Sequence, residues 1–127
     1  LVRSRGLGDV YKRQGVSGVA DYLQLGLLPR IFGADMPIFV SYGGRFTFTE
    51  EQCKRISSYI KRPMGLMKAA CPAPGGGVTD TRLNELVELY GNDTMFLVGG
   101  DMFRRGPDIE ANMSYFVERL TKLSERT

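Results

Sequence analysis

The sequence predicts an α/β fold of repeating strand–helix units. Two observations carry this. Short apolar runs, Pro37–Ser41, Met64–Ala70 and Met95–Val98, alternate with amphipathic stripes spaced for helices. A glycine cluster follows each run: Gly43-Gly44, Gly75-Gly76-Gly77 and Gly99-Gly100. Repeated βα units imply parallel strands joined by right-handed crossovers. Two architectures fit, a doubly wound open sheet and the C-terminal part of a (β/α)8 TIM barrel. Three strands make a thin doubly wound sheet and suit a barrel piece better.

Each element has its own signal. Tyr22–Phe32 reads as a helix with Pro29 near a start or kink, leading into Gly33-Ala34-Asp35. Pro37–Ser41 is a buried parallel strand, and Tyr42–Phe46 a glycine turn. Thr49-Glu50-Glu51-Gln52 has the spacing of a capping box. The helix it opens places Cys53, Ile56, Tyr59 and Ile60 on one face, and Pro63 stops it at Arg62. Met64–Ala70 is expected as the second strand, although Gly65 and Lys68 weaken it. Cys71–Val78 is expected as a Pro/Gly loop. Leu83, Leu86, Val87 and Tyr90 form the next helical stripe, closed by Gly91. Met95–Val98 is the third strand and Gly99-Gly100 its turn. Pro107 is expected at the first helical position, with Asp108 and Glu110 in the first turn. Ile109, Met113, Phe116, Val117, Leu120 and Leu123 would be the buried face of that last helix.

The net charge of +3 invites a search for acidic partners. It resides in residues 1–14, where Arg3, Arg5, Lys12 and Arg13 face Asp9 alone. Residues 15–127 carry thirteen basic and thirteen acidic side chains. Ser4–Gln14, SRGLGDVYKRQ, resembles the translation of a sequencing-library adaptor. Residues 1–14 are therefore expected to be non-native, with one natural domain over 15–127 that continues upstream. That expectation favours the barrel piece. No nucleic-acid or membrane partner follows from the charge, and no apolar run is long enough to span a bilayer. The chain has no His, which excludes a Ser-His or Cys-His catalytic pair and the usual zinc sites within it. Its two cysteines, Cys53 and Cys71, are too sparse for a disulfide scaffold.

In either architecture ligands lie at the C-terminal ends of the strands, where the glycines fall. Glycine loops expose backbone N–H groups and suit a phosphate; they also simply make tight βα turns. Arg45 would clamp a phosphate or carboxylate, or pair with Glu50 or Glu51. Ser41 would contact ligand or start the turn. Lys68, inside an apolar run, is the candidate for a charge clamp or proton-transfer group, or else reaches solvent. Asp101 would bind a hydroxyl or cap a helix. Arg104-Arg105 reads as a solvated pair, and Cys71 as packing.

Three stretches carry a family resemblance: GADMPIFVSYGGRFTFTEEQC, PAPGGGVTDTRLNELVELYGND and LVGGDMFRRGPDIEAN. Together they resemble the C-terminal barrel region of the RuBisCO large-subunit superfamily, nearest the RuBisCO-like proteins. The resemblance implies βα units six to eight. It implies substrate-phosphate binding by Gly76 and Gly77 in one loop and Gly99 and Gly100 in the next. Ser41, Gly44 and Arg45 become further substrate-contact candidates. It implies a magnesium cofactor held by a carbamylated Lys and acidic residues upstream of this chain, a cytoplasmic homodimer, and a phosphorylated sugar or sugar-acid substrate. The loop Ser-Tyr-Gly-Gly-Arg-Phe lacks the Lys that true carboxylases carry there, which argues against ribulose-bisphosphate carboxylase. Decarboxylation or carboxyl transfer is favoured over isomerisation and enolisation, through a shared enediolate. The chain alone is expected to be inactive and to fold poorly. The alternative is a self-standing phosphate-binding α/β module without catalysis.

Overall fold

A computed structural model describes residues 18–125. The adaptor-like segment lies outside them. A π-helical stretch, Tyr22–Leu27, runs into α1 (Leu28–Ile31), with Pro29 in its first turn. Strand β1 (Ile38–Val40) leads to α2 (Glu50–Lys61). Strand β2 (Ala73–Gly75) leads through a 3-10 turn, Asp80–Arg82, to α3 (Leu83–Tyr90). A short α4 (Gly100–Arg104) and a long α5 (Ile109–Ser124) complete the described chain.

The helix signals work as chemistry requires. The Thr49 hydroxyl accepts from the Gln52 amide at 3.2 Å, and the Gln52 side chain accepts from the Thr49 amide at 2.9 Å. This reciprocal box satisfies two amides that a helix start leaves open. Arg62 turns to extended backbone before Pro63, ending α2. Gly91 closes α3 at φ +75.

The second strand lies elsewhere than its apolar signal. Met64 and Met67 bond each other's backbones across a tight turn, with Gly65 at φ +55 and Leu66 fully exposed. The strand is instead Ala73-Pro74-Gly75, within the expected loop. Its period of two explains how proline fits. Cys71 and Ala73 donate toward the first unit, to the Asp35 and Pro37 carbonyls at 2.9 and 3.0 Å. Pro72 and Pro74 face the other way, where each offers a carbonyl and no N–H. Met95 and Leu97 donate to those carbonyls at 2.9 and 3.1 Å. Pro74 has no donor for a return bond, and the first return comes only from the Gly76 amide, at the Gly75–Leu97 bridge. The expected third strand over 95–98 is thereby reduced to a parallel bridge between Gly75 and Leu97.

β1 and β2 pair in parallel, Ile38 opposite Ala73 and Val40 opposite Gly75. The order β1, β2, segment 95–98 follows the sequence. Along the same direction α1 joins α2 through the π-helical stretch, and α2 meets α3 and α3 meets α5. Sequential parallel strands under a single row of helices are barrel geometry; a doubly wound sheet carries helices on both faces. The core lies between helices and strands: Phe39, Cys53, Ile56, Ile60, Val78, Leu83, Leu86, Val87, Tyr90 and Phe116 are buried. The opposite sheet face is open, with Ile38 67% exposed.

The last helix departs from its sequence pattern in two ways. Asp108 is its cap, accepting from the Ala111 amide at 2.9 Å, so Pro107 precedes the helix and is not its first residue. Phe116 and Leu123 are buried, but Ile109, Met113 and Val117 face outward, Val117 at 56% exposure. Helical spacing marks an apolar face; it does not say whether these residues supply its cover.

Candidate functional site

The C-terminal ends of the strands gather two glycine loops. After β1 the chain turns through Tyr42-Gly43-Gly44; after β2 it turns through Gly76 and Gly77, at φ +80 and +70. The two loops touch. A Cβ on Gly44 would lie 2.8 Å from the Gly77 amide nitrogen, and a Cβ on Gly77 would lie 2.8 Å from that of Gly44. Only glycine at both positions permits this approach.

Arg82 holds the pair together. Its Nη1 donates to the Tyr42 carbonyl at 2.8 Å and to the Gly77 carbonyl at 3.0 Å. Its Nη2 donates to Glu85 at 3.0 Å. The guanidinium stacks on the Tyr42 ring at 4.5 Å, and the Tyr42 hydroxyl donates to the same Glu85 carboxylate. Burial, then Glu85, pushes the Tyr42 phenol up to about 12. Arg82, then Tyr42, holds the Glu85 carboxyl below its usual range.

With these carbonyls turned to Arg82, the loop amides are left open. Among the described residues, the N–H groups of Gly43, Gly44, Gly77 and Val78 have no hydrogen-bond acceptor in the protein, whereas that of Gly76 faces the Leu97 carbonyl across the Gly75–Leu97 bridge. Backbone donors without acceptors, brought together by two loops, are what an anion's oxygens require.

The third loop lies beside them. Gly99 precedes α4 and Gly100 opens it; a Cβ on Gly99 would meet nothing within 4 Å. The Asp101 carboxylate accepts from the Asp80 amide at 2.9 Å, so this aspartate ties the second loop to the third. Asp80 in turn accepts from the Tyr115 hydroxyl at 2.9 Å and from Arg119 at 3.3 Å, with Arg105 at 3.7 Å. Arg105 also stacks on Tyr115 at 3.5 Å, while both Arg104 and Arg105 stay exposed.

The other candidates separate. Ser41 is wholly buried and its hydroxyl bonds Tyr90 at 3.1 Å, away from the loops. Arg45 is exposed on the first loop and pairs with neither Glu50 nor Glu51. Lys68 follows the Met64–Met67 turn, exposed and ahead of β2, at the opposite end of the strands from the glycines. The displaced strand is the reason: an expected strand over 64–70 would have carried Lys68 toward the mouth. Cys71 is half-buried at that same far end. Arg82, Asp80 and Tyr42 were not singled out by sequence; the spacing of Arg82 and Glu85 across one helical turn was the available signal.

Among the described residues no three His, Cys, Asp or Glu side chains come together to hold a metal ion. The magnesium that the resemblance implies therefore finds no ligand set on them. No helix of the described residues is long and apolar enough to cross a membrane.

No family model matches the chain. Known proteins do. It is 37% identical to the ribulose bisphosphate carboxylase-like protein 1 of Rhodopseudomonas palustris, over 80% of this chain and 28% of that protein. A crystal structure of a RuBisCO-like protein from Rhodopseudomonas palustris superposes with TM-score 0.72 at 34% identity, over 87% of this chain and 29% of its own. Its homologues are RuBisCO-like proteins. They include the 5-methylthioribulose-1-phosphate isomerase of Rhodospirillum rubrum, 30% identical over 88% of this chain and 30% of that enzyme. 2,3-Diketo-5-methylthiopentyl-1-phosphate enolases match at up to 31% identity. The chain spans about 30% of the length of the curated relatives it matches. Likeness to RuBisCO-like structures and a small parallel sheet under one row of helices make the fold part of an α/β barrel.

Proposed function

We propose that this chain supplies the phosphate-gripping loops of a RuBisCO-like enzyme acting on a phosphorylated sugar. The observation that carries this is the set of acceptor-free amides at Gly43, Gly44, Gly77 and Val78, on two glycine loops that touch. A phosphate placed there accepts from backbone donors, which no protonation change can remove. Gly99 and Gly100, open beside Asp101, extend the grip from the third loop. Arg45 adds an exposed cation at the rim.

The chemistry fits an enediolate reaction on a sugar phosphate. The isomerase and enolase names among the relatives support rearrangement or enolisation over the decarboxylation or carboxyl transfer favoured from the resemblance. The chain's own residues bind and orient the phosphate end; the described residues contain no His and no metal-ligand cluster to move a proton. The proton-transfer groups and magnesium would come from elsewhere in a longer enzyme, which forms the homodimer expected of it.

Calorimetric titration with ribulose 5-phosphate, inorganic phosphate and ribose tests the reading. Heat from the first two and none from ribose is the expected result. Equal binding of ribose, or no binding of either phosphate, would overturn it.

A further inference from the structure

We infer that Arg82 is a positioning residue that sets the anion affinity of these loops without touching the anion. This rests on the phosphate reading above and names the side chain that makes the site. The guanidinium commits three of its five N–H donors, both on Nη1 and one on Nη2, to the Tyr42 and Gly77 carbonyls and to Glu85. A cation so paired brings little net charge to a ligand. Its effect is on the peptide planes. In a trans peptide the N–H points opposite the C=O. Turning the Tyr42 carbonyl toward Arg82 therefore turns the Gly43 N–H away from it, and turning the Gly77 carbonyl does the same to the Val78 N–H. One side chain thus aims donors from both loops to the side opposite itself. Gly43 leaves the room for this: a Cβ there would lie 2.7 Å from Nη1. Stacking on Tyr42 and the Glu85 carboxylate fix the guanidinium from two further directions. Lysine could replace the charge but not the fork, because one ammonium cannot hold two carbonyls and a carboxylate in this plane.

The test is titration of the whole 127-residue chain with sodium phosphate at constant ionic strength. The amide resonances of Gly43, Gly44, Gly77 and Val78 are followed in the native chain, Arg82→Lys and Arg82→Met. Arg82→Met and Arg82→Lys should each weaken phosphate by about tenfold or more, equivalent to about 1.4 kcal/mol. The amides around the Thr49 cap should stay where they are. Phosphate affinity of Arg82→Lys equal to the native chain's would overturn the inference, since charge alone would then suffice. That variant decides the matter even if Arg82→Met fails to fold. Absence of any phosphate-induced shift in the native chain would instead sink the phosphate reading, and this inference with it.

Discussion

The two ends of the strands each carry an arginine that gathers backbone carbonyls, and they do so to opposite effect. At the N-terminal end Arg30 is buried and donates to the carbonyls of Tyr59 at 3.0 Å, Lys68 at 2.7 Å and Arg62. Nearby Lys61 donates to the Tyr90 carbonyl, and burial holds its ammonium below the usual lysine range. Both cations lie where helices end and carbonyls lack partners. At the C-terminal end Arg82 also takes carbonyls, but from loops, and it leaves their amides open. One end is sealed, and the other offers loop amides to the anion proposed above. In α/β barrels the ends divide the same way, stability at one and chemistry at the other.

The contrast is sharpest where it is broken. Replacing Arg30 with Met should strand buried carbonyls and cost about 3 kcal/mol or more, since hydrogen bonds from charged donors are each worth roughly 1.5–3 kcal/mol. Urea denaturation reads this directly; a loss no larger than that of Arg82→Met would erase the difference between the ends. Alanine scanning of two glycines comes next. Gly44→Ala forces a Cβ against the Gly77 backbone and should cost about 1–3 kcal/mol and weaken phosphate together. Gly65→Ala meets open space and should cost about 1 kcal/mol, for its positive φ alone, with phosphate affinity unchanged. Thr49→Ala removes a cap worth about 1 kcal/mol and should leave the loop amides unmoved.

The smallest effect is a pH dependence confined to the receptive end. Glu85 is held below its ordinary carboxyl value by Arg82 and Tyr42. A depressed carboxyl contributes stability above its unfolded value, lost as pH falls through the lower folded one. Acidification through that window should release the Tyr42 hydroxyl and shift its ring resonances, and Glu85→Gln should abolish the transition. A Tyr42 ring that titrates identically in both proteins would remove Glu85 from the clamp.

The helices were legible because their signals are local. Thr49 to Gln52 encodes a cap, Pro63 a stop, and Leu83, Leu86, Val87 and Tyr90 a face, and each acts within a turn or two. The strands were not, because their pairing is decided by distant partners. The Met64–Met67 run is apolar yet lies on the surface, whereas Ala73-Pro74-Gly75 has poor strand character and still pairs, since its donors face β1. The glycine clusters were readable as loop positions, but their contact was not. Nor was Arg82, whose role depends on two carbonyls forty and five residues away in the chain.

Pro72 and Pro74 give the sheet a perforated line. Between β2 and segment 95–98 the strong bonds run one way, from Met95 and Leu97; Pro74 can return none, and the Gly76 amide at the Gly75–Leu97 bridge is the one return. A ladder with a missing rung yields more easily to sliding or opening than a full one, and here it separates the loop of Gly76 and Gly77 from that of Gly99 and Gly100. An anion gripped by both loops would act as a stitch across that seam. Slow amide exchange at Met95 and Leu97 would then be a property of the occupied protein, acquired when substrate phosphate fastens the third unit to the second.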